Sequence, residues 1–227
     1  MQSRTIKTWA WLHKWSSLVC TVFMLLLCLT GLPLIFHHEI GHLLGTEVET
    51  PKMAPGTPHA SLDKVLEVAR AQHPDRVVQF ASKDADDDNL WFVTMTPTPE
   101  PTDDFRSVAI DARTALVLAQ PRFDEGFMYV MFKLHVDLFA GLPGKLFLGF
   151  MGLLLLVAIV SGVVLYAPFM RKLDFGTVRR DKRTRLKWLD LHNLLGIVTL
   201  VWLFVVGATG MINTWADLLI KYWQYDQ

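Results

Sequence analysis

Residues 12–31, LHKWSSLVCTVFMLLLCLTG, share a skeleton with residues 191–210, LHNLLGIVTLVWLFVVGATG. In each segment a Leu-His pair is followed by sixteen residues and then by Thr-Gly, and a small residue stands four places after the histidine. A nearly continuous apolar stretch follows each histidine. This pattern predicts that each histidine lies at the start of a membrane-spanning helix. An ionisable residue placed twice at one helix depth predicts a functional site. The positions concerned are His13 and Ser17 in the first segment and His192 and Gly196 in the second.

Three long apolar stretches contain no charged residue. They occupy residues 16–36, 146–170 and 193–216, and each exceeds the roughly 20 residues that cross a hydrocarbon core. The first follows Arg4 and Lys7, as a secretory signal would, but it is longer than the apolar core of a signal and no small-x-small cleavage site follows it. We therefore expect three retained transmembrane helices in contact with membrane lipid.

Basic and acidic residues are distributed unequally along the chain. Residues 171–187 hold eight basic and two acidic side chains, and the first fifteen residues hold three basic and no acidic ones. Positions 37–145 hold ten basic and seventeen acidic residues. The positive-inside rule therefore places the N-terminus and the 171–187 loop in the cytoplasm, and residues 37–145 and the C-terminal tail outside. Because topology accounts for the basic residues, no nucleic-acid partner is expected.

These patterns divide the chain into seven segments. They are a cytoplasmic N-terminus with the first transmembrane helix and its outer end (1–45), an external linker with a small folded module (46–123), an outer interfacial helix (124–145), the second transmembrane helix (146–170), a basic cytoplasmic loop (171–192), the third transmembrane helix (193–216) and an external tail (217–227).

The external module has the pattern of an α+β fold. Ser61 can cap a helix over residues 62–72, and Pro74 ends it. The acidic stretch 84–88 lacks the spaced ligands and the glycine of a calcium loop, so a solvated turn is the favoured interpretation. One helix on a short antiparallel sheet is expected. The strand-like stretches are residues 77–81, 90–96, 106–110 and 115–119.

His13 and His192 both precede helices that run outward, so the helices are expected to be parallel and the rings to lie at matching depth near the cytoplasmic face. Two facing imidazoles can occupy the axial positions of one haem iron inside a helical bundle. Ser17 and Gly196, one turn further on the same face, leave room for the porphyrin. A lone histidine here would more readily bind water or lipid headgroups, but the repeated spacing favours a ligand pair.

A second haem site is expected on the outer side. His135 lies in the amphipathic segment before the second span, and the outer end of the first span offers His37, His38 and His42. His135 with His37 or His38 would ligate a second iron, and the two haems would form a transmembrane electron path. Adjacent residues point about 100° apart around a helix, so the choice between His37 and His38 stays open.

Residues 38–42, His-Glu-Ile-Gly-His, also match H-E-x-x-H, which supplies two zinc ligands and a general base on one helix. This alternative predicts a membrane zinc protease that uses His38, Glu39 and His42. The motif is short, no third ligand accompanies it, and Gly41 weakens the helix that it needs. Haem ligation is therefore the favoured hypothesis.

The remaining reactive side chains carry less information. Cys20 and Cys28 are about 12 Å apart along a helix, too far for a disulfide between them. His59 and His73 are expected at the surface. The sequence has no phosphate loop or dinucleotide fingerprint, so an electron donor would be a separate protein or a diffusible molecule.

In these features the chain resembles the PepSY-associated transmembrane family, which includes inner-membrane ferric-siderophore reductases. The similar stretches cover most of the chain. They are Leu12-His13-Lys14-Trp15, Leu29-Thr30-Gly31, Phe36-His37-His38-Glu39-Ile40, Val108-Ala109-Ile110-Asp111, Leu134-His135-Val136-Asp137-Leu138, Gly141-Leu142-Pro143-Gly144, Ser161-Gly162 and Asp190-Leu191-His192-Asn193-Leu194-Leu195-Gly196.

The resemblance implies one or two haem b groups held by membrane histidines. It also implies electron transfer across the bacterial inner membrane, from the cytoplasmic side to a periplasmic ferric chelate. By position it supports His13, His135 and His192 as axial ligands, with His37 as the fourth.

The sequence differs from the family pattern in two respects. Longer members have a second external segment and a fourth span, which leaves a homodimer or a partner helix as the two ways to complete the bundle. The hairpin of the external module has Arg113-Thr114-Ala115 where a Thr-Gly turn is common. The alternative function is a non-catalytic membrane anchor whose PepSY-like module binds or regulates a partner protein.

Overall fold

A computed structural model describes residues 3–100, 102, 104–170, 176–179 and 183–226. The chain divides into two compact units. One, here called the membrane unit, comprises Met1–Leu34 and Met131–Gln227, and the other, the external unit, comprises Ile35–Val130. Residues 171–175 and 180–182 of the predicted 171–192 loop, with four of its eight basic residues, lie outside the described residues.

Three helices are long and apolar enough to cross a membrane, which confirms the three predicted transmembrane helices. The first is α1 (Ser3–Ile35), the second α5 (Leu142–Met170) and the third α7 (Leu200–Tyr225). A separate helix, α6 (Thr184–Val198), precedes the third. The apolar stretch 193–216 therefore does not form one helix, since its first six residues belong to α6 and its seventh is the junction.

The junction between α6 and α7 is Thr199. Its backbone has φ −93° and ψ 0°, outside the regular helical region. Hydrogen bonds nevertheless continue across it, from the N–H of Thr199 to Leu195 and from the N–H of Leu203 to Thr199. The result is an interruption of the regular helix at Thr199, between α6 and α7. His192 lies on α6 as a consequence.

Helices α5 and α7 are antiparallel and pack through small residues. The indole of Trp215 lies where Gly149 has no side chain, and the carbonyl oxygen of Gly207 would lie 3.4 Å from a Cβ on Gly152. The indole N–H of Trp215 donates to the carbonyl of Leu146 at 3.3 Å. Small residues at such crossings let the backbones of membrane helices approach closely.

The external unit contains the predicted α+β module. Helix α3 (Leu62–Gln72) packs on a four-stranded antiparallel sheet of order β1-β2-β3-β4. The hydroxyl of Ser61 accepts from the N–H of Lys64 and caps the helix, as expected. Fully buried residues of α3 and the central strands form the core, namely Val65, Ala69, Val93, Met95, Val108 and Ile110. The strands are β1 (Val77–Lys83), β2 (Leu90–Thr96), β3 (Arg106–Asp111) and β4 (Val117–Ala119).

The turn between β3 and β4 explains how Arg113-Thr114-Ala115 replaces a Thr-Gly turn. The buried carboxylate of Asp111 accepts hydrogen bonds from the N–H groups of Arg113 and Thr114 at 2.7 and 3.2 Å. It also binds the guanidinium of Arg113 at 2.7 Å. Ala115 takes the positive φ, 54°, that glycine would adopt more easily. Strand β4 consequently begins two residues later than the sequence pattern predicts.

The acidic stretch 84–88 is a turn stabilised by its own carboxylates. Asp84 accepts from the N–H groups of Asp86 and Asp87, at 2.9 and 3.0 Å. Asp87 in turn accepts from Asn89 and from the hydroxyl of Thr50. Side chains that bond their own backbone in this way favour turns.

Segment 124–145 contains a helix, a turn and the start of α5. Helix α4 (Gly126–Val136) ends before two residues with positive φ, Leu138 and Phe139. The carboxylate of Asp137 accepts from the N–H of Phe139 at 2.9 Å and closes the turn. The carbonyl oxygen of Asp137 occupies the position that a Cβ on Gly144 would take, so the turn requires glycine there.

Candidate functional site

The rings of His13 and His192 lie next to each other in the membrane unit. Their centroids are 6.2 Å apart and their planes are inclined by 62°. His13 comes from α1 and is half-buried, whereas His192 comes from α6 and is exposed. The structure therefore brings together the two histidines that the repeated sequence singles out.

This spacing fits a shared metal ion. A histidine–metal bond is about 2 Å long, and the ring centroid lies about 1 Å behind the ligating nitrogen, so two imidazoles on opposite sides of one metal have centroids roughly 6 Å apart. The distance in the structure is 6.2 Å. The centroid distance thus matches the one expected for two imidazoles that would share one haem iron.

The residues one turn beyond each histidine leave space on the same face. A Cβ built on Gly196 would meet no atom within 4 Å. The hydroxyl of Ser17 donates to the carbonyl of His13 at 2.6 Å, so it is turned back onto its own helix. Neither residue fills the volume that a porphyrin beside the two rings would need.

Helix α5 holds the His13 ring from the side. Nδ1 of His13 lies 2.9 Å from the carbonyl oxygen of Ala158 and 3.2 Å from the hydroxyl of Ser161. A Cβ on Gly162 would lie 3.1 Å from Cε1 of the ring. The Ser161-Gly162 pair, one of the stretches that resemble the family, therefore contacts a candidate ligand.

A second histidine in the membrane unit, His135 at the end of α4, is held in a similar manner by α1. Its Nδ1 lies 3.0 Å from the hydroxyl of Thr30, and the backbone of Leu27 contributes a further hydrogen bond. A Cβ on Gly31 would lie 3.0 Å from Cε1 of the ring. Thr30 is seventeen residues after His13, about 26 Å along a helix. His13 and His135 therefore lie near opposite ends of α1.

His37 and His38 belong to the external unit, at the start of α2 (His37–Leu44), with ring centroids 4.1 Å apart. Both ring nitrogens of His38 contact carboxylates. Nδ1 lies 2.9 Å from Glu47 and Nε2 lies 3.0 Å from Asp86. The hydrogen bond to Glu47 raises the pKa of His38, and the charges of Glu47 and Asp86 add to this effect. With both nitrogens engaged, His38 has no free ligand atom.

The H-E-x-x-H segment does form a helix, α2, but its histidines are engaged elsewhere. His42 pairs with Glu49, whose oxygen lies 3.5 Å from Nδ1. Glu39 is exposed. In the part of the chain that the structure describes, no group of three or more His, Cys, Asp or Glu side chains is arranged to hold a metal ion. The zinc-protease alternative thus lacks a ligand set there.

The other histidines and the cysteines take no part in these contacts. His59 is exposed and bonds Asn89 at 3.2 Å, as expected for a surface residue. His73 is only half-buried, but its Nε2 is buried without a hydrogen-bond partner among the described residues. Cys20 and Cys28 are both free thiols.

Sequence reasoning missed the role of a buried carboxylate on α6, the helix that carries His192. Asp190, two residues before His192, is buried and binds Arg179. Bonds from the Arg179 guanidinium and backbone N–H lower the pKa of Asp190 to about 2. Asp190 does stand in the Asp190-Leu191-His192 stretch that resembles the family. Nothing in the sequence indicated that its partner is Arg179, which lies in the segment before α6.

Comparison with known proteins gives two matches. Residues 10–227 match the family described as the PepSY-associated TM region. An uncharacterized protein of Pseudomonas aeruginosa is 38% identical over 84 residues, which make up 37% of this chain and 21% of that protein. The chain therefore matches about a fifth of the length of this relative.

Proposed function

The chain belongs to the PepSY-associated transmembrane family, and from this membership we propose that it is a haem b electron-transfer protein of the bacterial inner membrane. The observation that carries the proposal is the 6.2 Å approach of the His13 and His192 rings. Bound between them, a haem supplies one-electron chemistry, because its iron alternates between the ferric and ferrous states.

The residues of the chain hold and orient such a group. His13 and His192 would hold the haem of an inner centre, with Gly196 leaving room beside them. His135, near the other end of α1, serves as a ligand of an outer centre. The fourth ligand, His37, stays a prediction from the sequence. Two centres placed in this way give an electron path between the membrane faces.

The proposed reaction is reduction of an external ferric chelate, such as a siderophore complex. Ferric iron of the chelate gains one electron and becomes ferrous, and a separate donor on the cytoplasmic side loses that electron. The proposal follows the family resemblance and places residues 37–145 in the periplasm by the positive-inside rule. A homodimer or a partner helix remains part of the proposal for closing the bundle.

Absorption spectroscopy of the purified full chain in detergent tests the proposal. We expect a reduced-minus-oxidised b-type spectrum, with one or two haems per chain by pyridine haemochrome assay. His13→Ala and His192→Ala should each remove the inner haem, whereas His59→Ala, a change at an exposed histidine, should leave it in place. Absence of any b-type signal after expression with added haem would overturn the proposal and favour the membrane-anchor alternative.

A further inference from the structure

We propose that two hydroxyl–glycine pairs, Ser161-Gly162 and Thr30-Gly31, are positioning sites that force His13 and His135 into the tautomer able to bind a metal through Nε2. Each pair, together with the backbone three residues before its hydroxyl, is called a histidine seat below. The inference rests on the proposed function, because it assigns a role to the residues that hold the proposed ligands.

The two seats contact their histidines in the same way. In each, the hydroxyl lies within hydrogen-bond distance of Nδ1, at 3.2 Å for Ser161 and 3.0 Å for Thr30. The backbone three residues earlier, at Ala158 or Leu27, also bonds the ring. The glycine that follows the hydroxyl faces Cε1. Helices α1 and α5 at His13, and helices α4 and α1 at His135, therefore form the same set of contacts around an imidazole.

The hydrogen-bond partners determine where the imidazole proton lies. A carbonyl oxygen can only accept, so the 2.9 Å contact between Nδ1 of His13 and Ala158 requires a proton on Nδ1. The hydroxyl of Ser161 has one proton, which it donates to Val157 or Ala158 of its own helix. It therefore accepts from His13. A neutral imidazole with its proton on Nδ1 presents a lone pair at Nε2.

The same reasoning applies to His135. The hydroxyl of Thr30 donates to Leu26 at 2.9 Å or to Leu27 at 3.3 Å, which leaves its lone pairs for Nδ1 of His135. The proton on Nδ1 is then donated to the hydroxyl of Thr30, and the backbone of Leu27 bonds the same ring. Such a bond strengthens a metal-bound imidazole as a donor and fixes its orientation.

The glycines fix the position of each ring. Added Cβ atoms on Gly162 and Gly31 would lie only 3.1 and 3.0 Å from Cε1 of His13 and His135. Any side chain at either position would displace the imidazole from the helix that holds it. The glycine thus sets how closely the ring lies against the supporting helix.

Helix α7 contains a third copy of the motif that serves as a matched control. The hydroxyl of Thr209 donates to Val205 and Val206 at 2.8 and 3.3 Å, as the hydroxyls of the two seats bond their own helices. A Cβ on Gly210 would meet no described atom within 4 Å. This Thr-Gly pair is therefore chemically equivalent but supports no histidine among the described residues.

The experiment uses the full chain in detergent, with ¹⁵N-labelled histidine. The variants are Ser161→Ala, Thr30→Ala, their conservative counterparts Ser161→Thr and Thr30→Ser, and the control Thr209→Ala. Two readouts are taken, namely the ¹⁵N chemical shifts that identify each histidine tautomer in the haem-free protein, and the midpoint potential of each haem in the loaded protein.

We expect the Nδ1–H tautomer of His13 both in the wild type and in Ser161→Ala, because the carbonyl of Ala158 still accepts the proton, but loss of the hydroxyl acceptor should shift the ¹⁵N resonance of Nδ1. Loss of the acceptor should raise the midpoint potential of the inner haem alone, and Thr30→Ala should act on His135 and the outer haem alone. The conservative variants should retain both properties, and Thr209→Ala should change neither.

Unchanged Nδ1 chemical shifts and midpoint potentials in both alanine variants would overturn the positioning role while leaving the haem proposal intact. A haem-free wild type would overturn the haem proposal, and the chemical-shift measurement would still decide whether the seats act. Equal effects from Thr209→Ala would overturn the assignment of the seats, because that pair contacts no described histidine.

Discussion

Arg179 binds the carboxylate of Asp190 through its guanidinium, at 2.7 and 2.9 Å, and through its backbone N–H at 3.0 Å. Asp190 is 5% exposed and lies two residues before His192. The pair therefore fixes the first half of α6 against the segment before it. The orientation of the His192 ring depends on that half of the helix.

Replacement of Asp190 by asparagine should destabilise α6 and, under the proposed function, weaken the binding of a haem by His192. Loss of the charge-assisted bonds costs about 1–3 kcal/mol, so we expect a lower thermal midpoint and faster haem release. Asp217→Asn removes an exposed ion pair with Lys145, where about 0–1 kcal/mol is expected. Haem release followed by absorption compares the two variants. Equal rates would show that Asp190 does not support His192.

The Arg179–Asp190 pair also predicts that the stability of the folded protein falls at acidic pH. The pKa of Asp190 is about 2 in the folded protein, below its ordinary value of about 3.9. The stabilisation is therefore complete above the ordinary value and is lost as the pH falls towards 2. Thermal midpoints of the wild type should fall over this window more steeply than those of Asp190→Asn. Parallel pH profiles would contradict the prediction.

Arg113→Ala should unfold the external module at lower denaturant concentration. The change leaves the fully buried carboxylate of Asp111 without its guanidinium partner, which costs about 3–5 kcal/mol for a buried pair. Arg122→Ala, at an exposed pair with Asp124, should have little effect on the urea midpoint, because exposed ion pairs contribute little to stability. Urea unfolding followed by tryptophan fluorescence, with Trp91 packed against the core, measures both. A similar midpoint for the two variants would refute the role given to Arg113.

His38 should make the start of the external linker sensitive to pH. Because the pKa of His38 is raised by Glu47 and Asp86, its stabilising contribution is present below the ordinary value of about 6.5 and is lost as the pH rises through the raised value. Limited proteolysis within residues 46–60 should accelerate between about pH 6 and 9 in the wild type. His38→Asn should be cleaved rapidly at both pH values. His59→Asn should behave like the wild type, and a wild-type rate independent of pH would rule out the contribution.

Gly144→Ala should disrupt the turn that leads from α4 into α5. The added Cβ would overlap the carbonyl oxygen of Asp137, so the backbone of the turn must move. Gly210→Ala is the matched control, because a Cβ there meets no described atom and alanine favours a helix interior by about 0.5–1 kcal/mol. Thermal unfolding should show loss of stability in the first variant and no loss in the second. Retained stability in Gly144→Ala would show that the turn adapts.

Much of the architecture was predictable because long apolar stretches and turn residues act locally. The three spans, the cap at Ser61 and the sheet of the external module follow from patterns within single segments. The approach of His13 to His192 was predictable for a different reason, since a repeated spacing relates distant positions directly.

The histidine seats were not predictable in the same way. Ser161 is 148 positions from His13 and Thr30 is 105 positions from His135, and no periodicity connects them. Thr199 escaped notice because this interruption of the regular helix leaves the apolar pattern unbroken. The engagement of His38 by Glu47 and Asp86 depends on chain folding that brings residue 86 near residue 38.

Helix α1 carries His13 near one end and the seat for His135 near the other, so the length of this helix sets the distance between His13 and that seat. One residue inserted between them would lengthen the helix by about 1.5 Å and rotate its far end by about 100°. Thr30 and Gly31 would then face away from the imidazole that they support. The length of this stretch is therefore constrained as strictly as the identity of the residues at its ends, and evolutionary change within it should proceed by substitution rather than by insertion or deletion.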